Sequence, residues 1–504
     1  MESLASTVDR VARLHPDRVA IVDGGRHVTY REFMAQAAGF ASQLLIQGLQ
    51  RGDRVAVVLP NRSEAAVACY GTWLAGGVVV PLNVQARARD FAPWLEHSGA
   101  RFVVHESSNS EVACALETLE SPVHAFPLPN DQPICPPLDA GSLSTNVAWA
   151  GGSERDLAVI LYTSGTTGAP KGVMLSHASL LANARAVTAY LGLGQDDSVL
   201  CVLPFYYAYG ASVLHTHLIS GATIHLGRNV IFPNLIVEAL ATHGITGFSG
   251  VPSTFALLLD HVELGRHDLS ALRYVTQAGG PMSPALTSRL RAALPHPRLF
   301  VMYGQTEATS RLTWLPPERL DAKPGSVGIP VEGVTIRIVR EDGSIAEAGE
   351  TGEVWITGPN VMLGYWRNAE ATQATLHDGW LKTGDLGHLD GDGYLFLAGR
   401  RSDMIKTGAH RVHPTDVEQA IAEIPGVIEA AVIGVDDEVL GQVIKAYVVV
   451  ERVTTRLSDE IKAHCRAHLA PYKIPRHIEF VSSLPRTASG KVQRAQLVSR
   501  QAPA

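Results

Sequence analysis

The residues Thr163, Ser164, Gly165, Thr166, Thr167 and Lys171 crowd into one string, "TSGTTGAPKG" (163–172). Glycines let backbone N–H groups approach a ligand closely, and hydroxyls and a lysine add donors. Together they make a cradle for an anionic phosphate chain. The Walker arrangement GxxxxGK[ST] does not fit, because Ala169 and Pro170 precede the lysine and Gly172 stands in the hydroxyl position. A flexible linker does not fit either, since the string is wedged between the β-branched run "VILY" and the helical pattern "SHASLLANARAVTAYL".

Five further strings follow in order: "QAGGPM" (277–282), "YGQTEA" (303–308), "TGD" (383–385), "GRRSDMIKTGAHRVHPTDVE" (399–418) and "LPRTASGKVQR" (484–494). With the phosphate string, this set resembles the adenylate-forming (AMP-binding) superfamily of acyl- and aryl-CoA synthetases, peptide-synthetase adenylation domains and luciferases. The resemblance covers essentially the whole chain. It implies an α/β fold with a large N-terminal domain of α/β sheets plus a β subdomain, residues 1–399, holding ATP and an acid. A small mobile α+β C-terminal domain, residues 400–504, would follow, with a hinge near Ser402 and the catalytic lysine Lys491.

The resemblance also implies roles. Thr163, Ser164, Gly165, Thr166, Thr167 and Lys171 would hold the β- and γ-phosphates of ATP. Ala278, Gly279 and Gly280 would pack on the adenine, with Tyr303 stacking near it beside Gly304. Thr306 would donate to phosphate and Glu307 would hold Mg²⁺. Asp385 and Arg400 would fix the ribose, and Lys491 would bridge the carboxylate and the α-phosphate. The activity implied is attack of a carboxylate on ATP to give an acyl-adenylate and pyrophosphate, two anions joined under donors aimed at the growing charge. A non-catalytic protein on this fold would have lost one of these groups. Lys171, Glu307, Asp385, Arg400 and Lys491 are all present.

A second step is implied by the C-terminal domain. Rotation about Ser402 would replace the Lys491 face by one bearing Lys406 and Arg411, opening a tunnel for a pantetheine thiol that takes the acyl group as a thioester. Lys406 and Arg411 also read as plain surface charges. Ser402 stands where relatives often carry Asp or Lys, and Ala409 stands where many carry a second glycine, so a methyl group would narrow the tunnel. Coenzyme A is the first expected acceptor. The alternative is a stand-alone ligase loading the phosphopantetheine of an acyl carrier protein. Too few residues follow Lys491 for an attachment site, so the thiol is expected from outside. Residues 451–504 carry ten Lys/Arg and four Asp/Glu, a basic excess suited to either acceptor, or simply a solvated surface.

For the acid, "LPFYYAYGASV" (203–213) puts Gly210 where amino-acid-activating relatives carry an Asp for the ammonium, which disfavours an α-amino acid. Tyr207 and Gly210, with Gly279 and Gly304, are the expected substrate contacts. Tyr206, Tyr207 and Tyr209 would shape an aryl or medium-chain acyl pocket, or pack the core. Arg311 would reach a polar substituent of the acid, or form a surface salt bridge.

The elements that must position these groups are legible in part. "RVAVVLPN" (54–61), "SEAAVACYGTWLAGG" and "VVVPLN" read as strand, helix and strand of a parallel βαβ unit, with Ser63 as N-cap. "ARFVVHE" and "TIHLGRN" read as further strands. Residues 121–153 are proline-rich and read as a surface connection. "GVTIRIVRE" and "GEVWITG" read as strands of the β subdomain. "PTDVEQAIAEI", "EAAVIGV" and "KAYVVV" mark the C-terminal domain.

At 504 residues the chain exceeds one hydrophobic core. A net charge of −7 argues against a protein that coats nucleic acid. Five scattered cysteines give no disulfide framework or zinc spacing, and no apolar leader or membrane span is evident, which together suggest a cytoplasmic protein.

Overall fold

The computed structural model describes residues 2–129, 132, 134–135, 153–163, 171–227, 232–408, 410–437, 440–454, 456–486 and 492–499. Three sheets organise them.

The first is seven-stranded. The strands Arg54–Val58 and Val78–Pro81 pair in parallel, joined by the helix Ser63–Leu74, so the βαβ unit is present. Its helix is buried on nearly every side, which explains an apolar stretch without helical alternation. Gly71 is needed there because a Cβ would lie 2.7 Å from the Ala37 carbonyl oxygen of the neighbouring helix. Ser63 is not the N-cap. That place belongs to Arg62, and the Ser63 hydroxyl bonds Asp23 instead. Residues 124–128, expected in a surface connection, form a strand that pairs in parallel with Ala100–Glu106.

The second sheet has fourteen strands. Its centre is parallel, running through Thr223–Leu226, Ser198–Cys201, Gly247–Gly250, Tyr274–Gln277 and Arg298–Tyr303. The β segment after residue 324 does not stand apart: its strands continue this sheet in antiparallel pairing from Thr313–Leu315 to Thr335–Val339. The strands Trp380–Leu389 and Leu395–Arg400 lie in this extension.

Pairing switches sheets between Arg400, which ends one strand, and Ile405, which begins the next. The five-stranded C-terminal sheet is built on the Val427–Asp437 and Gly441–Val450 hairpin. It carries its own core of Ile405, Val417, Ile421, Val432, Ile444 and Ile461. Among the described residues no helix is long and apolar enough to cross a membrane.

Candidate active site

The strand Leu157–Thr163 does not lead through the phosphate string into a helix. It turns back as a second strand, Lys171–Ser176, antiparallel to the first, with Thr163 opposite Lys171. The helix His177–Leu191 begins only after that strand, capped by Ser176. Thr163 and Lys171 are therefore offered at the end of a strand pair, not at a helix N-terminus. Ser164, Gly165, Thr166 and Thr167 lie outside the described residues.

Thr163 and Lys171 open onto a cavity of about 1090 Å³. Gln305, Thr306 and Glu307 line it from the far end of the Arg298–Tyr303 strand, and Arg400, Arg401, Met404 and His413 line it from the junction with the C-terminal domain. Lys171 sits with its ammonium 5.1 Å from the centre of the Tyr365 ring. The same tyrosine donates from its hydroxyl to Glu307 Oε1 at 2.9 Å. Burial and then the Glu307 charge raise the Tyr365 phenol, so it remains a donor.

Behind the cavity Asp385 is buried, and accepts from the Tyr303 hydroxyl at 2.5 Å and from Arg400 Nε at 3.0 Å. Asp385 and Arg400 are cross-strand partners in the antiparallel sheet. Both bonds put donors on the carboxylate of a residue with little access to water. Burial and then the Asp385 charge push the Tyr303 phenol well above its usual value.

The segment after Tyr303 folds tightly on itself. A Cβ on Gly304 would lie 1.7 Å from the Ser310 carbonyl oxygen and 2.9 Å from Arg311 Cα, so only glycine fits. Thr309 takes a φ of 68°, rare for a β-branched residue, and its hydroxyl donates to the Asn360 carbonyl at 2.7 Å. The turn at Ala278, Gly279 and Gly280 leaves the neighbouring parallel strand at the same sheet edge, with Gly279 at a φ of 87°.

A model of the family described as AMP-binding enzyme matches residues 8–366, and one of the AMP-binding enzyme C-terminal domain matches residues 416–491. The chain belongs to the AMP-binding enzyme family. It is 34% identical over 505 residues to a feruloyl-CoA synthase of an Amycolatopsis species, covering 99% of each. It is 33% identical over 492 residues to the 2-succinylbenzoate–CoA ligase of Bacillus subtilis (strain 168), covering 96% of each. The solved o-succinylbenzoate CoA synthetase of Bacillus subtilis, in complex with its acyl-adenylate intermediate, superposes with a TM-score of 0.85 at 31% identity over 97% of both chains. The same synthetase has been solved with ATP and a magnesium ion. This AMP-binding enzyme is an AMP-forming acid–thiol ligase of the acyl-CoA synthetase type.

Of the residues singled out in the sequence, Thr163, Lys171, Thr306, Glu307 and Arg400 share the cavity, and Tyr303 and Asp385 back it. Tyr207 caps the helix Ala208–Ser220, its ring 4.7 Å from that of Tyr206. Gly210 is buried, and a Cβ there would lie 2.1 Å from the Pro204 carbonyl oxygen, so backbone packing alone demands glycine. Lys406 is exposed on the C-terminal sheet and does not line the cavity. Lys491 and Ala409, and the side chains of Ser402 and Arg411, lie outside the described residues.

Arg311 is no surface residue. It is 3% exposed, which overturns the surface salt bridge. Sequence reasoning missed Tyr365 and His413. The aromatic pair in "LGYWRN" was the available signal for Tyr365, but its role depends on pairing between Tyr365 and Val173, far apart in sequence. His413 carries no local signal.

Proposed function

We propose that this AMP-binding enzyme activates a carboxylic acid as its adenylate in the cavity shared by Lys171, Thr306, Glu307 and Arg400, and passes the acyl group to coenzyme A. The observation that carries this reading is the convergence of phosphate-binding, carboxylate and ribose-fixing groups on one cavity of about 1090 Å³.

A carboxylate oxygen of the acid forms a bond to the α-phosphorus of ATP, and the bond to the bridging oxygen breaks, releasing pyrophosphate. The thiol then forms a C–S bond to the acyl carbon, AMP leaves, and the thiol proton passes to solvent. Lys171, with Thr163, Ser164, Gly165, Thr166 and Thr167, holds the departing phosphates. Thr306 donates to phosphate. Asp385 and Arg400 hold the ribose and so set the register of the α-phosphate. Ala278, Gly279, Gly280, Tyr303 and Gly304 frame the base, and Lys491 bridges the two anions.

Among the described residues no cluster of three or more His, Cys, Asp or Glu forms. That suits magnesium, which takes one or two carboxylates together with substrate phosphates rather than a protein cage. Glu307, oriented by Tyr365, would hold it. When bound, the ion neutralises phosphate charge.

The coenzyme A assignment is supported by relatives named as CoA synthases and ligases along the full length of the chain. Lys406 would serve the thiol step from the alternate face of the C-terminal domain. The test is incubation with ATP, magnesium, an acid panel and coenzyme A, followed by mass spectrometry. AMP and a coenzyme A thioester are expected, and both should vanish in Lys491→Ala. Thioester formed only on an added carrier protein would overturn the coenzyme A assignment while leaving adenylation intact.

A further inference from the structure

Among the described residues two arginines are as deeply buried as core residues, Arg62 and Arg311. Arg62 is neutralised by Glu64 and Glu106. Arg311 has no carboxylate within ion-pair distance among the described residues. Its Nη1 donates to the adjacent Ser310 Oγ, the guanidinium also hydrogen-bonds the Tyr190 side chain, and its Nε is buried without an acceptor. Its Cζ lies 3.8 Å from the centre of the Tyr209 ring. Stacking on an aromatic face offsets part of the cost of burying a guanidinium, but it supplies no acceptor in the plane of the N–H fork. A buried donor left unmade is costly, and a buried unpaired charge more so.

The position of this charge indicates what satisfies it. The Arg311 backbone packs against Gly304, where a Cβ would come within 2.9 Å of its Cα. Its carbonyl is clamped by the side-chain amides of Asn183 and Asn360, which fixes the root of the side chain. Tyr209 stands one residue before Gly210, and its hydroxyl donates to the Thr276 carbonyl at 3.0 Å, just before the turn at Ala278–Gly280. The guanidinium therefore lies on Tyr209, next to Gly210, with its root against Gly304, and Tyr209 ties it to the strand that leads to Gly279. The phenols of Tyr190 and Tyr209 are pushed up by burial and drawn back in part by the Arg311 charge, so that charge lies beside both rings.

We propose that Arg311 is a specificity-determining residue of the acid pocket, and that the preferred acid carries a second carboxylate, bound by Arg311 while the first is adenylated. This rests on the adenylation reading above. A planar guanidinium whose Nε–H has no acceptor is matched by a carboxylate. A monocarboxylate of the same skeleton leaves that donor buried and unpaired, the situation in which a polar site rejects an analogue most strongly. The same charge repels an ammonium group, and the backbone contacts at Gly210 leave no room for a carboxylate side chain to attract one.

The test compares matched acids, hexanoate with adipate and benzoate with terephthalate, in acid-dependent exchange of labelled pyrophosphate into ATP. Wild type, Arg311→Met and Arg311→Lys are assayed, with thermal melts as a folding control. Wild type should favour a dicarboxylate over its partner by ~100-fold in kcat/KM. Arg311→Met should lose that preference through KM while keeping exchange with the monocarboxylate, and Arg311→Lys should restore part of it. Wild-type preference for monocarboxylates would overturn the proposal without any recourse to a variant, and would leave adenylation standing. So would an even loss of exchange with every acid in a folded Arg311→Met. Silence from every acid in a wild type that binds ATP would overturn the adenylation reading and this one with it.

Discussion

Tyr365 links two charges that the sequence keeps far apart: its hydroxyl donates to Glu307 at 2.9 Å, and its ring lies 5.1 Å from the Lys171 ammonium. The carboxylate is oriented by the hydroxyl and the lysine is steered by the ring face. Tyr365→Phe removes the first link and keeps the second. Groups that orient a metal-holding carboxylate typically contribute 10- to 100-fold, so exchange activity should fall by ~10-fold and the magnesium concentration for half-maximal rate should rise. A magnesium titration of both proteins checks this. An unchanged titration curve would show that the hydroxyl does not act through Glu307.

The cross-strand pair Asp385 and Arg400 is completed by the Tyr303 hydroxyl. Asp385→Asn keeps the shape and removes the charge that both donors face. Hydrogen bonds to a charged group are worth about 1.5–3 kcal/mol, so the KM for ATP should rise by roughly 10- to 100-fold. Initial rates over a range of ATP concentrations read this directly.

At Gly304 the constraint is steric. A methyl group would sit 1.7 Å from the Ser310 carbonyl oxygen, against backbone that cannot swing aside. Gly304→Ala should lower stability by about 3 kcal/mol or more and abolish exchange, both measurable by denaturant unfolding and assay. Gly349→Ala is the contrast, because nothing lies within 4 Å of a Cβ there. Its positive φ of 85° leaves only a backbone cost of about 1 kcal/mol, with activity intact.

Acid should weaken the fold through buried histidines. His217 lies between the Val213 carbonyl at 2.7 Å and the Tyr274 hydroxyl at 2.5 Å, and burial pushes it down to about 4. His215, bonded to the Tyr70 hydroxyl, is pushed by burial to about 3. Both values are below the ordinary 6.5, so the unfolded chain binds more protons as pH drops. Stability is therefore retained above 6.5 and lost from there towards 4, by up to about 1.4 kcal/mol per pH unit for each such histidine. Urea midpoints at pH 7.5, 6 and 5 should fall in that order. A flat profile would mean that these rings are already solvated.

The sequence reading reached the elements and motifs whose signals are local. The strand and helix around Val78 and Ser63, the two long strands of the C-terminal domain, and the charged members of each motif could all be read without contacts. Pairings across distance could not. Lys171 opens a strand rather than a helix because Thr163 lies opposite it, and "KGVMLS" is too short for its alternation to announce that. Tyr303 could be singled out as the aromatic of "YGQTEA", while its bond to Asp385 depends on a strand some eighty residues later. Arg311 was misjudged for the same reason. In "TEATSRLTW" an arginine after small polar residues looks solvated, and only the folding of Gly304 against Ser310 buries it.

The central claim is that the cavity joining Lys171, Glu307 and Arg400 performs adenylation of an acid. Its most direct test is acid-dependent exchange of labelled pyrophosphate into ATP, without any thiol, by wild type and by Glu307→Gln. Exchange that requires both the acid and magnesium, and that falls by at least ~100-fold in the folded variant, is the predicted result. Exchange unaffected by Glu307→Gln, or none with any acid despite magnesium-dependent ATP binding, would contradict the account.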